Sequence, residues 1–240
     1  KEPIIGTGYN LVIPNHIQEV ATNAFANSNL MYVTFEDTKA EPSALASIGE
    51  AAFYNCKYLE DVTFPLTVKV IDNNAFAKCI RFGKINIPNS VTTLGKGCFS
   101  ECEQVVELSL SNSVANLGAN TFANCISLRE VVVPVGITEI SAGMFGGCAS
   151  LESVTIPSTV KSIGKEAFKL CIGLDNVVVP QSVTSVGSGA FSSNLSLKKI
   201  TLSSNITAYP AELFLGCSSL RSITVPGYVQ AGTVMAIPGN

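Results

Sequence analysis

Phenylalanine falls on a fixed beat along this chain. It stands at Phe25, Phe53, Phe76, Phe99, Phe122, Phe145, Phe168, Phe191 and Phe214, and after a first step of 28 every interval is 23 residues. Cysteine follows three residues behind, at Cys56, Cys79, Cys102, Cys125, Cys148 and Cys171; Asn194 takes the place once and Cys217 resumes the series. A period of this length marks a stack of similar coils, because one coil cannot bury its apolar edge without a neighbour. The sequence is therefore read as a single solenoid domain over 1–240, with about nine coils of 23 residues.

Each coil carries the same internal plan. The stretch Val154-Thr155-Ile156 alternates with the period of two expected of a short strand, ends inward and centre outward. Sister triplets begin at Val33, Val62, Ile85, Leu108, Val131, Val177, Ile200 and Ile223, and stacking them predicts a parallel sheet along one face. Proline follows most triplets, as at Pro65, Pro88, Pro134, Pro157 and Pro180, where a missing N–H ends the ladder and turns the chain away. Gly164 to Cys171 then places Ala167, Phe168 and Cys171 on one side of a short helical turn, with the glycine easing entry, so the expected class is an α/β repeat solenoid. Residues 36–47 lengthen one coil by about six residues and are read as a surface loop.

Composition narrows the function. Only 14% of residues are charged and 47% are apolar, which excludes intrinsic disorder. Pro, Gly, Asn or a charge interrupts every apolar run well short of the roughly 18 residues that span a bilayer, so no membrane insertion is expected within this segment. A net charge of −3 with scattered basic residues lacks the footprint of nucleic-acid binding. With neither Met nor a signal-peptide stretch at Lys1 and no polar cap at either end, the sequence is read as part of a longer protein.

The conspicuous residues belong to the repeat. Neighbouring coils about 4.7–4.9 Å apart fall within the disulfide range of about 4.4–6.8 Å, but an in-register column points its Cβ atoms the same way, so stacked free thiols are expected. Cys98 stands outside the column, where other coils carry Ala52, Ala75, Ala167 or Ala190, and is read as a buried filler. No metal or other cofactor is expected: Cys98 and Cys102 lack zinc spacing, and the single histidine, His16, sits in the first coil. His16 is read as an exposed turn residue with no cysteine near it in sequence, so no catalytic residue is assigned and no enzyme is expected. The Gly-x-Gly pairs at Gly6, Gly95 and Gly187 continue into no phosphate-binding fingerprint. The sequons at Asn194 and Asn205 occupy repeat positions, the cysteine column and the turn after a strand, and are read as hydrogen-bonding structural sites.

The chain resembles the BspA-like class of leucine-rich repeats, whose unit reads approximately Leu-x-x-Ile-x-Ile-Pro-x-x-Val-x-x-Ile-Gly-x-x-Ala-Phe-x-x-Cys. Agreement runs from about Leu11 to Val229, with departures at Ser28 for Cys, Ser111 and Ser203 for Pro, and Asp72, Ser141 and Pro210 for Gly. The resemblance implies a curved solenoid with strands lining one surface, on extracellular or surface-attached proteins of mucosal bacteria and parasitic protists. It also implies adhesion to host proteins or cells.

Solenoids bind through extended surfaces built from repeated positions. The outward centre line of the strands offers Thr63, Asn86, Ser109, Val132, Thr155, Val178 and Thr201 as candidates. Beside it run Tyr32, Asp61, Lys84, Glu107, Glu130, Asn176 and Lys199, where cross-strand pairs of Asp61 with Lys84 and of Lys84 with Glu107 are expected. The leading expectation is a non-catalytic, adhesin-like module binding a protein ligand, such as a host matrix or cell-surface protein. The alternative is a structural spacer or self-associating array.

Overall fold

The computed structural model describes residues 8–227; Gly6 and the final stretch of the repeat at Tyr228 and Val229 lie outside them. The triplets form the expected parallel strands, from Tyr9–Ile13 and Leu30–Phe35 through Lys84–Ile87, Glu107–Leu110 and Glu130–Val132 to Ser222–Thr224. Burial alternates as the pattern requires: in Lys84–Ile87 the lysine and Asn86 are exposed while Ile85 and Ile87 are buried. The row is not one continuous ladder. Its ten strands are hydrogen-bonded in groups of three, two, two and three, with interruptions after Asp61–Val62, after Glu107–Leu110 and after Ser153–Thr155.

A second row of strands, not foreseen from sequence, runs along another side of the coils. Its members are two residues long, including Val70–Ile71, Thr93–Leu94, Ser162–Ile163 and Ser185–Val186, and they form a five-stranded and a three-stranded parallel ladder. Each ends on a buried branched residue, as Ile71, Leu94, Ile163 and Val186 are. Two residues show no periodicity, which hides such strands from pattern reading.

The expected helical turns are absent: the described residues contain no helix. The stretch around each Phe instead alternates its amides between two directions. Glu166, Phe168 and Leu170 donate N–H to Ser188, Ala190 and Ser192 of the next coil at 3.0, 2.8 and 3.0 Å, while Ala167 and Lys169 donate within the coil to Gly164 and Glu166. A helix would send every amide up its own axis, leaving none for the neighbour. To aim alternate amides outward the chain turns left-handed twice per coil, two residues before the Phe and two after, as at Glu166 (φ 55°) and Leu170 (φ 60°). Asn or Gly fills most of these positions, including Asn74, Asn120, Gly143, Asn124 and Gly147, the residue types that tolerate this region best.

The Phe rings form a continuous stack. Successive centroids lie 5.0–6.2 Å apart with interplanar angles of at most 21°, within the range for offset aromatic pairs. The rings from Phe53 to Phe191 are fully buried, and only the end members Phe25 and Phe214 are partly exposed. All eight cysteines are free and buried. Seven of their thiols donate to the carbonyl of the Phe one coil back, as Cys148 Sγ does to Phe122 O at 3.2 Å and Cys171 Sγ to Phe145 O at 3.2 Å. The cysteine column thus adds a donor to a row of carbonyls most of which already accept the amide three residues on, as Phe122 O does from Cys125 and Phe145 O from Cys148. Asn194 breaks this pattern. Its side chain is fully buried and neither its Nδ2 nor its Oδ1 finds a partner.

The recurring glycine after the second-row strand serves contact rather than entry. A Cβ on Gly164 would stand 2.6 Å from the backbone nitrogen of Ala142 in the preceding coil, and one on Gly187 would collide with Lys165 in the same way. The long segment is only partly a loop. Residues 37–42 are exposed, but Ser43 and Leu45 are buried, Ala44 donates to Asn15 O at 2.6 Å, and Ser47 already belongs to the strand Ser47–Ile48.

Two substitutions check these assignments by chemical denaturation. Asn194→Cys is expected to stabilise the protein by about 1–3 kcal/mol, because it removes two unpartnered buried polar atoms and restores a thiol donor. Leu170→Gly, on a left-handed position, is expected to raise stability by about 0.5–1 kcal/mol, the left-handed penalty of a side chain outweighing the entropy cost of glycine.

Candidate functional site

The strand-lined side carries the candidate surface because alternation puts every second first-row side chain in solvent. Asp61, Thr63, Lys84, Asn86, Glu107, Ser109, Glu130, Thr155, Asn176 and Lys199 are exposed there, with Tyr32, Val132 and Val178 at 38%, 57% and 56%. Thr201 is half-buried. Register aligns them coil by coil: Tyr32 lies opposite Asp61, Lys84 opposite Glu107, Asn86 opposite Ser109, Glu130 opposite Ser153, Val132 opposite Thr155, and Asn176 and Val178 opposite Lys199 and Thr201.

Six of these residues are drawn into one depression. Lys84, Asn86, Glu107, Ser109, Glu130 and Val132, with Val106, surround an open hollow of about 470 Å³. It lies where the first-row ladder is interrupted between Glu107–Leu110 and Glu130–Val132. Glu107 and Glu130 occupy equivalent positions of adjacent coils there, an arrangement of like charges that disfavours close cross-strand pairing. The remaining candidates, Tyr32, Asp61, Thr63, Thr155, Asn176, Val178, Thr201 and Lys199, lie outside the hollow on the same row.

Of the two expected ion pairs, one forms. Lys84 Nζ sits 2.9 Å from Glu107 Oε1, both well exposed. Asp61 and Lys84 make no ion pair, because the ladder is open between Asp61–Val62 and Lys84–Ile87 and does not hold the two side chains opposite each other. Exposed pairs of this kind contribute at most about 1 kcal/mol, so the charges are free to serve contact rather than stability.

Sequence reading missed a neighbouring column, one residue before the strand start. Strict alternation would turn these residues inward, but the chain is still in its turn there: Val106, Arg129, Glu152, Asp175 and Lys198 are exposed and Glu60 is half-buried. Arg129 Nη1 reaches Glu152 Oε1 at 3.9 Å and Lys198 Nζ reaches Asp175 Oδ1 at 2.9 Å. Tyr32 donates its hydroxyl to Glu60 Oε2 at 2.7 Å. That carboxylate raises the Tyr32 pKa, since a phenolate beside it would be repelled.

The hollow offers carboxylates, an ammonium and an amide over exposed valines. The described residues contain no group of three His, Cys, Asp or Glu side chains placed to hold a metal ion. His16 is exposed. The Asn194 sequon is sealed in the core, whereas Asn205 is exposed with its Nδ2 donating to Gln181 O at 2.7 Å. Among its sister positions Thr159 and Ser182 bond carbonyls of the preceding coil at 2.9 and 2.7 Å, but the hydroxyls of Thr67 and Ser90 are buried without a partner.

The thiols show how reactive groups are disarmed by the stack. Burial pushes the Cys148 pKa up to about 12 and raises those of Cys98, Cys102, Cys125 and Cys171 as well. Cys56 goes the other way, to about 7, because the neighbouring Cys79 thiol and then the Ser28 hydroxyl favour its ionised form against the opposing effect of burial. A thiol harder to ionise when folded stabilises the fold fully below its unfolded value, near 9, and that stability is lost as pH rises through the folded value. Cys56 contributes in the opposite sense: its share is present above about 9 and lost as pH falls through about 7. The midpoint of denaturant unfolding is therefore expected to fall steadily above pH 9. Replacing Cys125, Cys148 and Cys171 together by Ala should make that fall shallower.

Comparison with known proteins places this architecture. A family model described as a BspA type leucine rich repeat region in six copies matches residues 8–41, 38–150 and 138–234. No curated protein matches. Among solved structures, the leucine-rich repeat protein of T. pallidum superposes with a TM-score of 0.62 at 29% identity over 80% of this chain and 79% of that one. A leucine-rich repeat protein from Bacteroides ovatus gives 0.66 at 23% identity, covering 90% of this chain and 63% of that one, so this chain spans less than two thirds of that relative. The pneumococcal vaccine antigen PcpA gives 0.54 at 19% over 90% and 67%. These last two are similar in fold. The 23-residue register, the parallel strands and the match of the family model over most of the chain lead to one conclusion: the chain belongs to the BspA-type leucine-rich-repeat proteins.

Proposed function

We propose that this solenoid is a non-catalytic, adhesin-like module that attaches to a host matrix or cell-surface protein through its strand-lined side. The observation that carries the reading is the hollow at Lys84, Glu107, Glu130 and Val132, where charged groups ring exposed apolar side chains. Such a mixture of apolar centre and polar rim suits contact with another protein. The core spends its Phe, Cys, Val and Ile on stacking, which leaves the outward first-row positions free for a ligand. Membership of the BspA-type family, a family of interaction repeats, supports binding over chemistry. The family resemblance supports a secreted or surface-attached location as part of this reading. No helix among the described residues is long and apolar enough to cross a membrane.

The test uses the purified chain against a panel of immobilised matrix proteins and intact epithelial cells. Saturable binding to one of them is expected to weaken at least tenfold, about 1.4 kcal/mol, in the triple variant Lys84→Glu, Glu107→Lys, Glu130→Lys. Reversing Glu139 and Lys161 on the second-row side should leave it unchanged. The reading is lost if those second-row changes abolish binding while the triple variant binds normally.

A further inference from the structure

We propose that the charged edge of the strand-lined side is self-complementary and pairs two copies of this chain, antiparallel, about a twofold axis at the coil of Arg129 and Glu130. The charges of this side gather at the start of the strands. From the coil of Asp61 onward the opposite edge, just after the strands, carries uncharged residues such as Asn89, Asn112 and Gln181, which are occupied in holding the next coil; Glu36 and Asp37, in the long first coil, are the charged residues there. A partner that meets this side by charge must therefore meet one edge.

The order of charge along that edge is reversed about its middle. Asp61 lies three coils before Glu130, and Lys199 lies three coils after it. In an antiparallel pair each coil faces the coil equally far beyond the axis, so Glu60 and Asp61 of one copy meet Lys198 and Lys199 of the other. Two coils out, Lys84 meets Asp175, each of which also has an ion-pair partner in its own chain, Glu107 and Lys198. At the axis, Arg129 of each copy meets Glu130 of its mate. One coil out, Glu107 faces Glu152, but both are already neutralised within their own chains, by Lys84 at 2.9 Å and by Arg129 at 3.9 Å. A parallel pair would instead set like charge on like at every charged coil of this edge except the one that carries Arg129 and Glu130.

Asp61 and Lys199 are exposed and form no ion pair among the described residues. With coils stacked about 4.8 Å apart, the two clusters lie roughly 29 Å from each other, beyond the Debye length of about 8–10 Å in ordinary buffers. They therefore attract a second chain independently. An interface related by a twofold is self-complementary by construction, and this edge has the required pattern. The pairing stands on charge order alone and does not require a host ligand.

The experiment measures mass by light scattering and sedimentation on the chain by itself, at about 0.1 mM and roughly 50 mM salt. The unaltered chain is expected to dimerise and to dissociate as salt rises to about 0.5 M. Glu60→Lys with Asp61→Lys should be monomeric, as should Lys198→Glu with Lys199→Glu. An equimolar mixture of the two variants should recover a dimer, since the reversed acidic end of one then meets the reversed basic end of the other. Circular dichroism verifies that each variant is folded, and the salt titration of the unaltered chain tests the pairing without any variant. A monomeric unaltered chain at low salt overturns the proposal, and so do variants that each self-associate as well as the parent or a mixture that stays monomeric. A chain that dimerises yet binds no host protein, or the converse, tells this pairing apart from the adhesin reading.

Discussion

Alternate backbone amides donated from one coil to the next are the constraint on which the rest of this structure depends. Phe168 can stack on Phe145 and Phe191 at 5.5–5.6 Å only because its own N–H is committed to Ala190 and that of Phe145 to Ala167. The same commitment rules out a helix, since a helical amide is already used. It forces two left-handed residues around every Phe, and it brings neighbouring backbones so close that Gly164 and Gly187 leave no room for a side chain. Hydrogen bonding sets the spacing, and apolar burial fills the space that results.

This dependence decides which features the sequence disclosed. The Phe and Cys columns, the inward and outward faces of triplets such as Ile85-Asn86-Ile87, and the burial of Cys98 were all legible, because side-chain chemistry repeats where the environment repeats. The second row of strands and the turns were not. Thr93–Leu94 is too short to show a period, and the spacing of Ala167, Phe168 and Cys171 fits one side of a helix as well as it fits a left-handed double turn. The signal that separates them lies two residues either side of Phe, where Asn74, Asn120, Gly143 and Gly147 stand in a position that a helix interior would disfavour. On the surface, the Lys84–Glu107 pair was legible and the missing Asp61–Lys84 pair was not, since pairing depends on ladder breaks that sequence does not mark.

Polar groups inside the stack follow the same logic. Each column thiol meets a Phe carbonyl of the coil behind, at 3.0–3.3 Å, so cysteine is both filler and donor. Serine could donate as well but would leave a smaller side chain in the core. Alanine would fill less space and donate nothing. Asparagine at 194 is larger and polar at two atoms, and it loses the bond that the smaller thiol makes. The repeated cysteine is thus explained by geometry, and its pKa, raised by burial in most members, marks these thiols as structural rather than nucleophilic.

A stack held this way separates stability from recognition. The residues facing inward answer to the coils on either side, whereas Lys84, Glu107, Glu130 and Val132 answer to nothing in the core, and their exposed ion pair adds little to folding. Substitution on the outer row therefore changes what the surface attracts without changing the scaffold that presents it. Regular coil spacing has a second effect, since any charge placed on the strand-start edge falls at a fixed multiple of one coil from every other. A periodic scaffold turns the order of charges along the chain into their order in space, which is why the sign of a few residues, from Asp61 to Lys199, is enough to define which partner orientation the edge can accept.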